Sequence, residues 1–340
     1  MGLPFGDIVH PREIPWSTLA GRLLAVDGNN AVYQFLATIR QHDGQPFSDP
    51  NGHVTSHLIG VLYRTTSLLG QGIRPIWVFD GKPPDLKAGT LSARFRAKER
   101  AETQWKEAVE RQDWETAKRK AAATSRFTRP MAAEAMELLR ALGVPTVQAP
   151  SEGEAQAARM ASDGAVWAAA SEDYDGLLFG APRLVRGLAA RARSGNDPAA
   201  QLLERDAVLA DLGISSEELL LLGLIVGTDF NDGARGFGPK KGLQLVRKHL
   251  GWEATLNAAK LEAADVEAAA AIFRTPEVAE PGPINFQPID RDAVDRILVD
   301  GRGFSADRVH AALQRAERAP VVLMPSDGRR QSRLDGFGGT

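Results

Sequence analysis

Acidic residues follow successive apolar runs along the chain. Asp27 ends the run at 23–26, and Asp80 ends the run at 76–79. The segments that follow three further apolar stretches carry Glu152 and Glu154, Asp173 and Asp175, and Asp229. Carboxylates crowded at one place repel one another unless cations neutralise them. Oxygen ligands without histidine or cysteine suit hard cations, so the pattern predicts a site for magnesium, or for manganese in its place.

Each acidic position also has a purely structural interpretation. Asp27 and Asp80 each precede a glycine, and Asp-Gly pairs are common in turns. Glu154 stands three residues after a serine, which is the spacing of a helix capping box. Glu152 fits the acidic first turn of a helix, and Asp229 is a candidate helix cap. The joint placement of these acids at the ends of five apolar runs favours the metal site.

The elements that must position these acids alternate between strands and helices. Strand character is found in four short apolar runs, at 23–26, 76–79, 144–147 and 165–170. A helix is predicted over 131–143, with Pro130 at its start and Gly143 at its C-terminal cap. The alternation predicts an α/β fold with a mostly parallel central sheet and helices on both faces. Ligands of such sheets bind beyond the carboxyl ends of the strands, where the acids would converge.

Composition excludes several other chemistries. The 340 residues contain no cysteine, which removes disulfides, thiolate nucleophiles and iron–sulfur clusters. The six histidines are scattered without H-E-x-x-H spacing, and neither a P-loop nor a dinucleotide-binding glycine fingerprint is present. The longest apolar run, 219–227, is far shorter than the ~20 residues of a membrane span. The start of the chain lacks a signal-peptide pattern, so we expect no membrane association and a soluble intracellular enzyme.

The net charge of −2 hides a basic segment. Residues 87–130 hold twelve lysines and arginines against six acidic residues, while the remainder of the chain is acidic. A basic segment on an acidic body indicates a polyanionic partner. The segment is rich in helix-forming residues from 94 to 127 and lacks glycine and proline there, so it is predicted to be helical. The alternative is a solvated helix with ion pairs such as Lys98–Glu102.

Five motifs in order resemble those of flap endonucleases, a family of the structure-specific 5′-nuclease superfamily. They are VDGNNAVYQFL, WVFDGKPPDLKAGTLSAR, APSEGEAQAA, AASEDYDGLLFG and GTDFNDGARGFGPKKGL. The resemblance covers nearly the whole chain, in the order and spacing of the family. It implies a nuclease fold with a helical arch and a C-terminal helix-hairpin-helix region, and a two-metal hydrolysis of phosphodiesters.

The resemblance assigns roles to the acidic and basic residues. The seven carboxylates would hold two divalent metal ions: Asp27, Asp80, Glu152, Glu154, Asp173, Asp175 and Asp229. Lys87 and Arg94 match the basic pair at the base of the arch, which neutralises the scissile phosphate. The basic segment would then be the arch through which a single-stranded 5′ flap passes. Tyr33 matches an aromatic residue on which a terminal base stacks.

Further positions match DNA contacts of the family. Gly2 would lie near the site once Met1 is removed, and Thr55 and Arg308 match a pocket for a one-nucleotide 3′ flap. The glycine turn matches an element that grips duplex DNA, often with a potassium ion; its residues are Gly236, Gly238, Lys240 and Lys241. From residue 217 onward the chain is predicted to be helical, with the segment 233–250 forming two helices around this turn. An ordinary glycine turn between core helices is the alternative.

The tail resembles the clamp-binding box of the family. Gln331, Leu334 and Phe337 fit its pattern, while Gly338 replaces the second aromatic residue, which should weaken clamp binding. A disordered tail is the alternative. The predicted regions are an N-terminal nuclease region at 1–98, an arch insertion at 87–130 and an internal nuclease region at 131–229. A helix-hairpin-helix region at 230–324 and a flexible tail at 325–340 follow.

The function implied by the resemblance is a magnesium-dependent 5′ flap endonuclease with 5′–3′ exonuclease activity. Its substrates would be flapped, double-flapped and nicked DNA in Okazaki-fragment maturation and base-excision repair. We expect a monomer in a prokaryotic, archaeal cytoplasm, or in the nucleus if the cell is eukaryotic. The alternatives are a related 5′-exonuclease or junction resolvase, and an inactive scaffold that binds branched DNA.

Overall fold

A seven-stranded mixed sheet forms the centre of the molecule. The computed structural model describes residues 3–188 and 199–318, apart from the side chains of four residues between 88 and 94. The strands are β1 Arg12–Pro15, β2 Leu23–Asp27, β3 Arg74–Phe79, β4 Thr146–Gln148, β5 Ala168–Ala170, β6 Arg183–Arg186 and β7 Ala199–Glu204. Their order is β1-β7-β6-β5-β2-β3-β4. The four pairings from β6 to β4 are parallel, and those of β7 with β1 and β6 are antiparallel, as the sequence predicts for a mostly parallel sheet.

Helices cover both faces of this sheet. In the first half of the chain they are α1 Gly28–Thr38, α2 Ser56–Gly70, α3 Ala88–Glu110, α4 Trp114–Ala122, α5 Arg129–Ala141, α6 Gly153–Ser162 and α7 Asp175–Leu178. The second half contributes α8 Arg205–Leu212, α9 Ser216–Val226, α10 Pro239–Val246, α11 Trp252–Ala259, α12 Ala263–Arg274, α13 Arg291–Asp295 and α14 Ala306–Glu317. Within the described ranges, no helix is long and apolar enough to cross a membrane.

The strands separate two apolar cores. Leu24 and Val26 of β2 belong to one core, and Ala25 between them belongs to the other. In β3, Trp77 and Val78 divide between the two cores in the same way. This alternation follows from the two-residue period of a strand. Because both faces are buried, the central strands are continuous apolar runs, which is why the sequence reveals them clearly.

Element boundaries differ from the sequence prediction in the shorter strands. The predicted strands at 144–147 and 165–170 narrow to three residues each, β4 and β5. The helix predicted to start at Pro130 and run to 143 is α5, which begins one residue earlier because the Thr128 hydroxyl accepts from the Met131 backbone N–H. It ends as expected next to Gly143, whose φ of +71° places it in the left-handed region.

The basic segment is helical, as the sequence predicts, and forms the two helices α3 and α4. Helix α3 ends before the short link at 111–113, in which Gln112 has a φ of +57°. The Asp113 side chain then caps α4 by accepting from the backbone N–H of Thr116 at 3.1 Å. Trp105 donates its indole N–H to the Asp43 carbonyl at 3.1 Å, which fastens α3 to the loop after α1.

The two-helix prediction for residues 233–250 is wrong. This segment contains one helix, α10, and the preceding residues 227–238 form no helix. Gly227 and Gly233 take φ values of +102° and +70°, which interrupt a right-handed helix. The first helix of the hairpin is α9, which ends at Val226, and α10 packs against it.

Candidate active site

The seven predicted carboxylates lie together beyond the carboxyl ends of the parallel strands. Asp27 ends β2 and Asp80 follows β3. Glu152 and Glu154 lie at the start of α6, Asp173 lies between β5 and α7, Asp175 is the first residue of α7, and Asp229 follows α9. Each of these acids exchanges electrostatic repulsion with at least one other member of the group. The sheet topology therefore produces the convergence that the sequence predicts.

Short polar side chains hold the carboxylates in place. Asn29 donates its side-chain amide to Asp80 Oδ2 at 2.6 Å, and Asn30 donates to Asp173 Oδ2 at 2.8 Å. Both asparagines lie in the first turn of α1, directly after β2. This packs the start of α1 against the acidic edge of the sheet.

Ser171 joins three of the acids, a role that the sequence analysis missed. Its hydroxyl lies 2.8 Å from Glu154 Oε1 and 3.2 Å from Asp27 Oδ2. It also accepts from the backbone N–H of Asp173 at 3.2 Å. The only sequence signal is its position directly after the buried strand β5.

Burial and mutual repulsion raise the pKa values of the innermost acids. Burial raises the pKa of Asp27 to about 7, with the charge of Asp80 adding to the shift. Burial also raises the pKa of Asp175 to about 7, although the Leu3 backbone N–H donates to Asp175 Oδ1 at 3.0 Å and opposes the shift. The pKa of Glu154 is raised well above its ordinary value by burial and by the charge of Asp175. The ionised forms of these carboxylates therefore need a nearby positive charge to be stable.

Lys87 supplies a cation at the other side of the cluster. Its ammonium lies 2.5 Å from Glu152 Oε2 and 3.6 Å from Asp229 Oδ2. The side chain is only 13% exposed. Burial opposes its charge, but Glu152 and the neighbouring acids outweigh burial and raise the pKa of Lys87 above its ordinary value. Burial raises the pKa of Glu152 as well, and Lys87 opposes that shift.

The donor set fits hard divalent cations, although its side chains do not surround one common point. Over residues 3–188 and 199–318, no three acidic or histidine side chains form a ready cage for an ion. Oxygens of the cluster accept instead from Lys87, the two asparagine amides and Ser171. Seven carboxylates with raised pKa values among them, and no histidine or cysteine, match the chemistry of magnesium or manganese. The assignment of magnesium or manganese to this cluster stays a prediction that rests on the chemistry of its ligands.

The capping-box interpretation of Glu154 is wrong. The N-cap of α6 is Glu152, whose side chain makes no capping hydrogen bond, and the Gly153 backbone N–H donates instead to Asp80 Oδ1 at 2.8 Å. Glu154 turns instead toward Ser171. Asp27 combines two roles, because its Oδ1 accepts from the backbone N–H of Asn30 at 2.9 Å and caps α1. A genuine capping box lies elsewhere, at the start of α9, between Ser215 and Glu218.

Family models match two stretches of the chain, which together contain all seven carboxylates. The XPG N-terminal domain matches residues 7–102, and the XPG I-region matches residues 143–229. A protein of Methanosphaerula palustris named Flap endonuclease 1 is 47% identical over 316 residues, which cover 92% of this chain and 93% of that protein. The chain belongs to the flap endonuclease family.

Solved structures agree with this assignment. The flap endonuclease-1 of Methanococcus jannaschii is 40% identical and superposes with a TM-score of 0.75, covering 93% of this chain and 98% of that one. The catalytic core of Rad2, solved in complex with DNA substrate, is 20% identical with a TM-score of 0.70, covering 93% and 100%. At that identity the likeness shows a shared fold.

Tyr33 lies between the flap endonuclease core and the first helix of the basic segment. It is half-buried on α1, and the ammonium of Lys98 on α3 lies 4.8 Å from the centre of its ring. Thr90 of the same helix donates its hydroxyl to the Asp229 carbonyl at 2.9 Å. Helix α3 therefore starts at the acidic cluster and runs past Tyr33.

Thr55 and Arg308 lie at the same end of two packed helices. Thr55 is buried and precedes α2, whereas Arg308 is exposed in the first turn of α14. Arg302, which the sequence analysis missed, lies 2.6 Å from Glu134 and 3.7 Å from Asp49. Arg302 and Glu134 also line a cleft of about 530 Å³ between α5 and α13, away from the acidic cluster.

The glycine turn presents an exposed basic helix start. Gly236 has a φ of +86°, and Gly238 is the N-cap of α10 with Pro239 in the first turn. Lys240 and Lys241 are exposed on that turn. Backbone N–H groups and lysines at a helix start suit a phosphate.

Some predicted residues lie outside the described part of the chain. Helix α3 includes position 94, but the side chain of Arg94 is not described. Gly2 and the predicted clamp-binding residues also fall outside it; the latter are Gln331, Leu334 and Phe337. The roles that the resemblance gives them stay predictions.

Proposed function

We propose that this chain is a structure-specific nuclease that hydrolyses a phosphodiester near the base of 5′ flaps in DNA. It also acts as a 5′–3′ exonuclease. The observation that carries the proposal is the convergence of seven carboxylates with Lys87 at the carboxyl edge of the sheet, in a chain of the flap endonuclease family.

The seven carboxylates would hold two divalent ions, with magnesium as the physiological choice and manganese able to replace it. Ions held there would supply an activated water and stabilise the leaving oxygen of the phosphodiester. Their charge would also offset the mutual repulsion that adds to burial in raising the pKa values of Asp27 and Asp175.

The residues of this chain position the substrate and the acids. Lys87 holds its proton across the physiological range and neutralises the scissile phosphate, with Arg94 predicted to assist. Ser171 and Asn30 keep Asp27 and Asp173 in fixed orientations. The buried position of the cluster at the edge of the sheet limits the water that screens these charges.

Branched DNA is the proposed partner, because the shape-related core of Rad2 was solved with a DNA substrate and this chain carries two basic surfaces. Helices α3 and α4 form the first, and the exposed Lys240 and Lys241 form the second. Lys/Arg contacts to phosphate release counterions, so binding should weaken steeply with salt. A potassium ion at the glycine turn, the 3′-flap pocket at Thr55 and Arg308, and Tyr33 stacking belong to the same proposal.

The cellular role follows the same proposal. Flap removal would serve Okazaki-fragment maturation and base-excision repair, with a monomeric enzyme recruited by a sliding clamp in the cytoplasm. The region boundaries at residues 98, 130, 229 and 324 belong to this proposal too. None of these assignments affects the chemistry at the acidic cluster.

The test compares wild-type protein with Asp175→Ala on nicked, flapped and four-way DNA. Wild-type protein should cut the flapped substrate best, while D175A should bind flapped DNA and leave it uncut. A preference for four-way junctions would instead identify a resolvase. Tight binding without any cutting by wild-type protein in magnesium or manganese would identify a scaffold.

A further inference from the structure

An exposed aromatic side chain stands on the first helix of the basic segment. Phe95 of α3 is 51% exposed, although a phenylalanine ring gains free energy from burial. The guanidinium of Arg126 lies 5.3 Å from the centre of its ring. Arg126 is itself held by Glu102 of α3, at 3.2 Å. The ring is therefore fixed beside a cation while half of its surface stays in water.

The position of this pair relates it to the acidic cluster. Phe95 is eight residues after Lys87, which corresponds to about 12 Å along a helix. Lys98 is one turn further on the same face and lies against Tyr33. Two cation–aromatic pairs thus line one face of α3, on the side that leads from the cluster along the helix.

This combination is suited to an unpaired nucleic-acid strand. Every base has a π-face, so an exposed ring in a basic setting stacks on bases regardless of sequence. An arginine against a ring strengthens such a platform through cation–π attraction. The exposed arginines Arg96 and Arg100 follow Phe95 on the same helix and supply charge for the phosphates. A protein partner with an apolar surface would meet these cations beside the ring.

We propose that Phe95, backed by Arg126, is a stacking site for a base of the single-stranded 5′ flap. The site lies about two helical turns from the scissile phosphate at Lys87 and is distinct from Tyr33. It rests on the proposed flap endonuclease function and adds a residue that selects for unpaired flap nucleotides. Glu102 is a positioning residue, because it acts through Arg126.

The experiment removes each partner of the proposed stack, the Phe95 ring by substitution and the flap base by the use of abasic nucleotides. Wild-type protein and Phe95→Ala are compared on double-flap DNA with normal flap nucleotides, and on the same DNA with abasic flap nucleotides, under single-turnover conditions. Phe95→Ala should reduce the efficiency of cutting roughly tenfold on the normal flap, in line with the loss of one base–aromatic stack. On the abasic flap, wild type and variant should differ little, because the stack is already lost.

Conservative variants separate stacking from helix packing. Phe95→Trp should retain the preference for normal over abasic flaps, whereas Phe95→Leu, which keeps apolar bulk without a π-face, should lose it. Arg126→Lys should weaken the preference less than Arg126→Ala. Leu250→Ala removes a similarly exposed apolar side chain, 50% exposed, and should leave the preference as it is in wild type.

A binding measurement keeps the two proposals apart. A fluorescent adenine analogue in the flap, with EDTA present to prevent cutting, should be quenched by wild-type protein and not by Phe95→Ala. Equal quenching by both proteins, or an equal loss of cutting on normal and abasic flaps, overturns the stacking site. If wild-type protein cuts no flap in magnesium yet quenches the analogue, the nuclease proposal fails and the stacking site stands.

Discussion

The ammonium of Lys87 lies 2.5 Å from Glu152 Oε2, so the N-cap residue of helix α3 is paired with an acid of the cluster. This contact joins the basic segment to the sheet edge at the point where a scissile phosphate would have to bind. In the absence of DNA and metal, the lysine compensates part of the acidic charge. On binding, a phosphate would replace Glu152 as the partner of Lys87, and metal ions would replace Lys87 beside the acid.

Replacing Lys87 tests its electrostatic role. Lys87→Ala should lower the single-turnover cleavage rate by about 10²–10³-fold, which is typical for loss of one group that stabilises transition-state charge. Lys87→Arg keeps the charge and should recover part of the rate. Flap binding should change much less than the rate, because the other basic side chains of α3, α4 and α10 are proposed to contact the DNA phosphates as well. An equal loss in binding and rate for Lys87→Ala would assign the lysine to substrate binding alone.

The buried acids predict a pH-dependent stability of the metal-free protein. Folding raises the pKa of Asp27 and Asp175 from about 3.8 to about 7, so the folded state binds protons more tightly than the unfolded state. Their contribution is fully present below pH 4 and is lost as the pH rises through 7. Thermal melts in EDTA should therefore show the melting temperature falling between pH 5 and pH 8.

Magnesium should reverse this loss. At pH 8 the acids are ionised and magnesium should raise the melting temperature, whereas near pH 5 it competes with protons and should raise it less. The double variant Asp27→Asn with Asp175→Asn should flatten the pH dependence in EDTA. A pH dependence that is the same for the double variant and the wild type would contradict the assigned cause.

Ser171 should control how well the acids hold metal. Its hydroxyl contacts Glu154 and Asp27, so Ser171→Ala should weaken magnesium affinity about 10–100-fold, as loss of an orienting hydrogen bond does elsewhere. A titration of cleavage rate against magnesium concentration measures this shift, and saturating metal should restore most of the rate. Ser171→Thr keeps the hydroxyl and serves as the matched control. Identical titrations for Ser171→Ala and wild type would remove the serine from the site.

Gly143 should be far less tolerant of substitution than a glycine with the same backbone conformation in open space. A Cβ at Gly143, where φ is +71°, would lie 2.0 Å from the Gln287 carbonyl oxygen. Gly164 has a φ of +75° with nothing within 4 Å. Gly164→Ala should cost about 1–2 kcal/mol from backbone strain alone. Gly143→Ala should destabilise the protein clearly more in denaturant unfolding, and equal losses would contradict the close approach.

The sequence predicts the sheet and the acidic cluster because both follow from simple patterns. The strands β2 and β3 are buried on both faces and stand out as apolar runs, and Asp27 and Asp80 follow them directly. The residues that the sequence analysis missed act through contacts with residues far away in the chain. Ser171 acts through Glu154, which is 17 residues away, and Arg302 acts through Glu134, which is 168 residues away.

Local competition between structures explains the wrong predictions. The Ser151–Glu154 spacing fits a capping box, but the Glu154 carboxylate accepts a hydrogen bond from Ser171, which directly follows β5. The basic segment, by contrast, is helical as its propensity predicts, and the cap at Asp113 divides it into α3 and α4. Glycines with positive φ prevent a helix at 227–238, although the segment lies between two helical stretches.

The measurement that tests the central claim most directly uses 5′-labelled double-flap DNA, first with magnesium and then with EDTA. The account predicts a single product cut one nucleotide into the duplex, which disappears with EDTA. Cleavage that persists in EDTA, or no cleavage in magnesium or manganese despite tight binding, would contradict the role of the seven carboxylates.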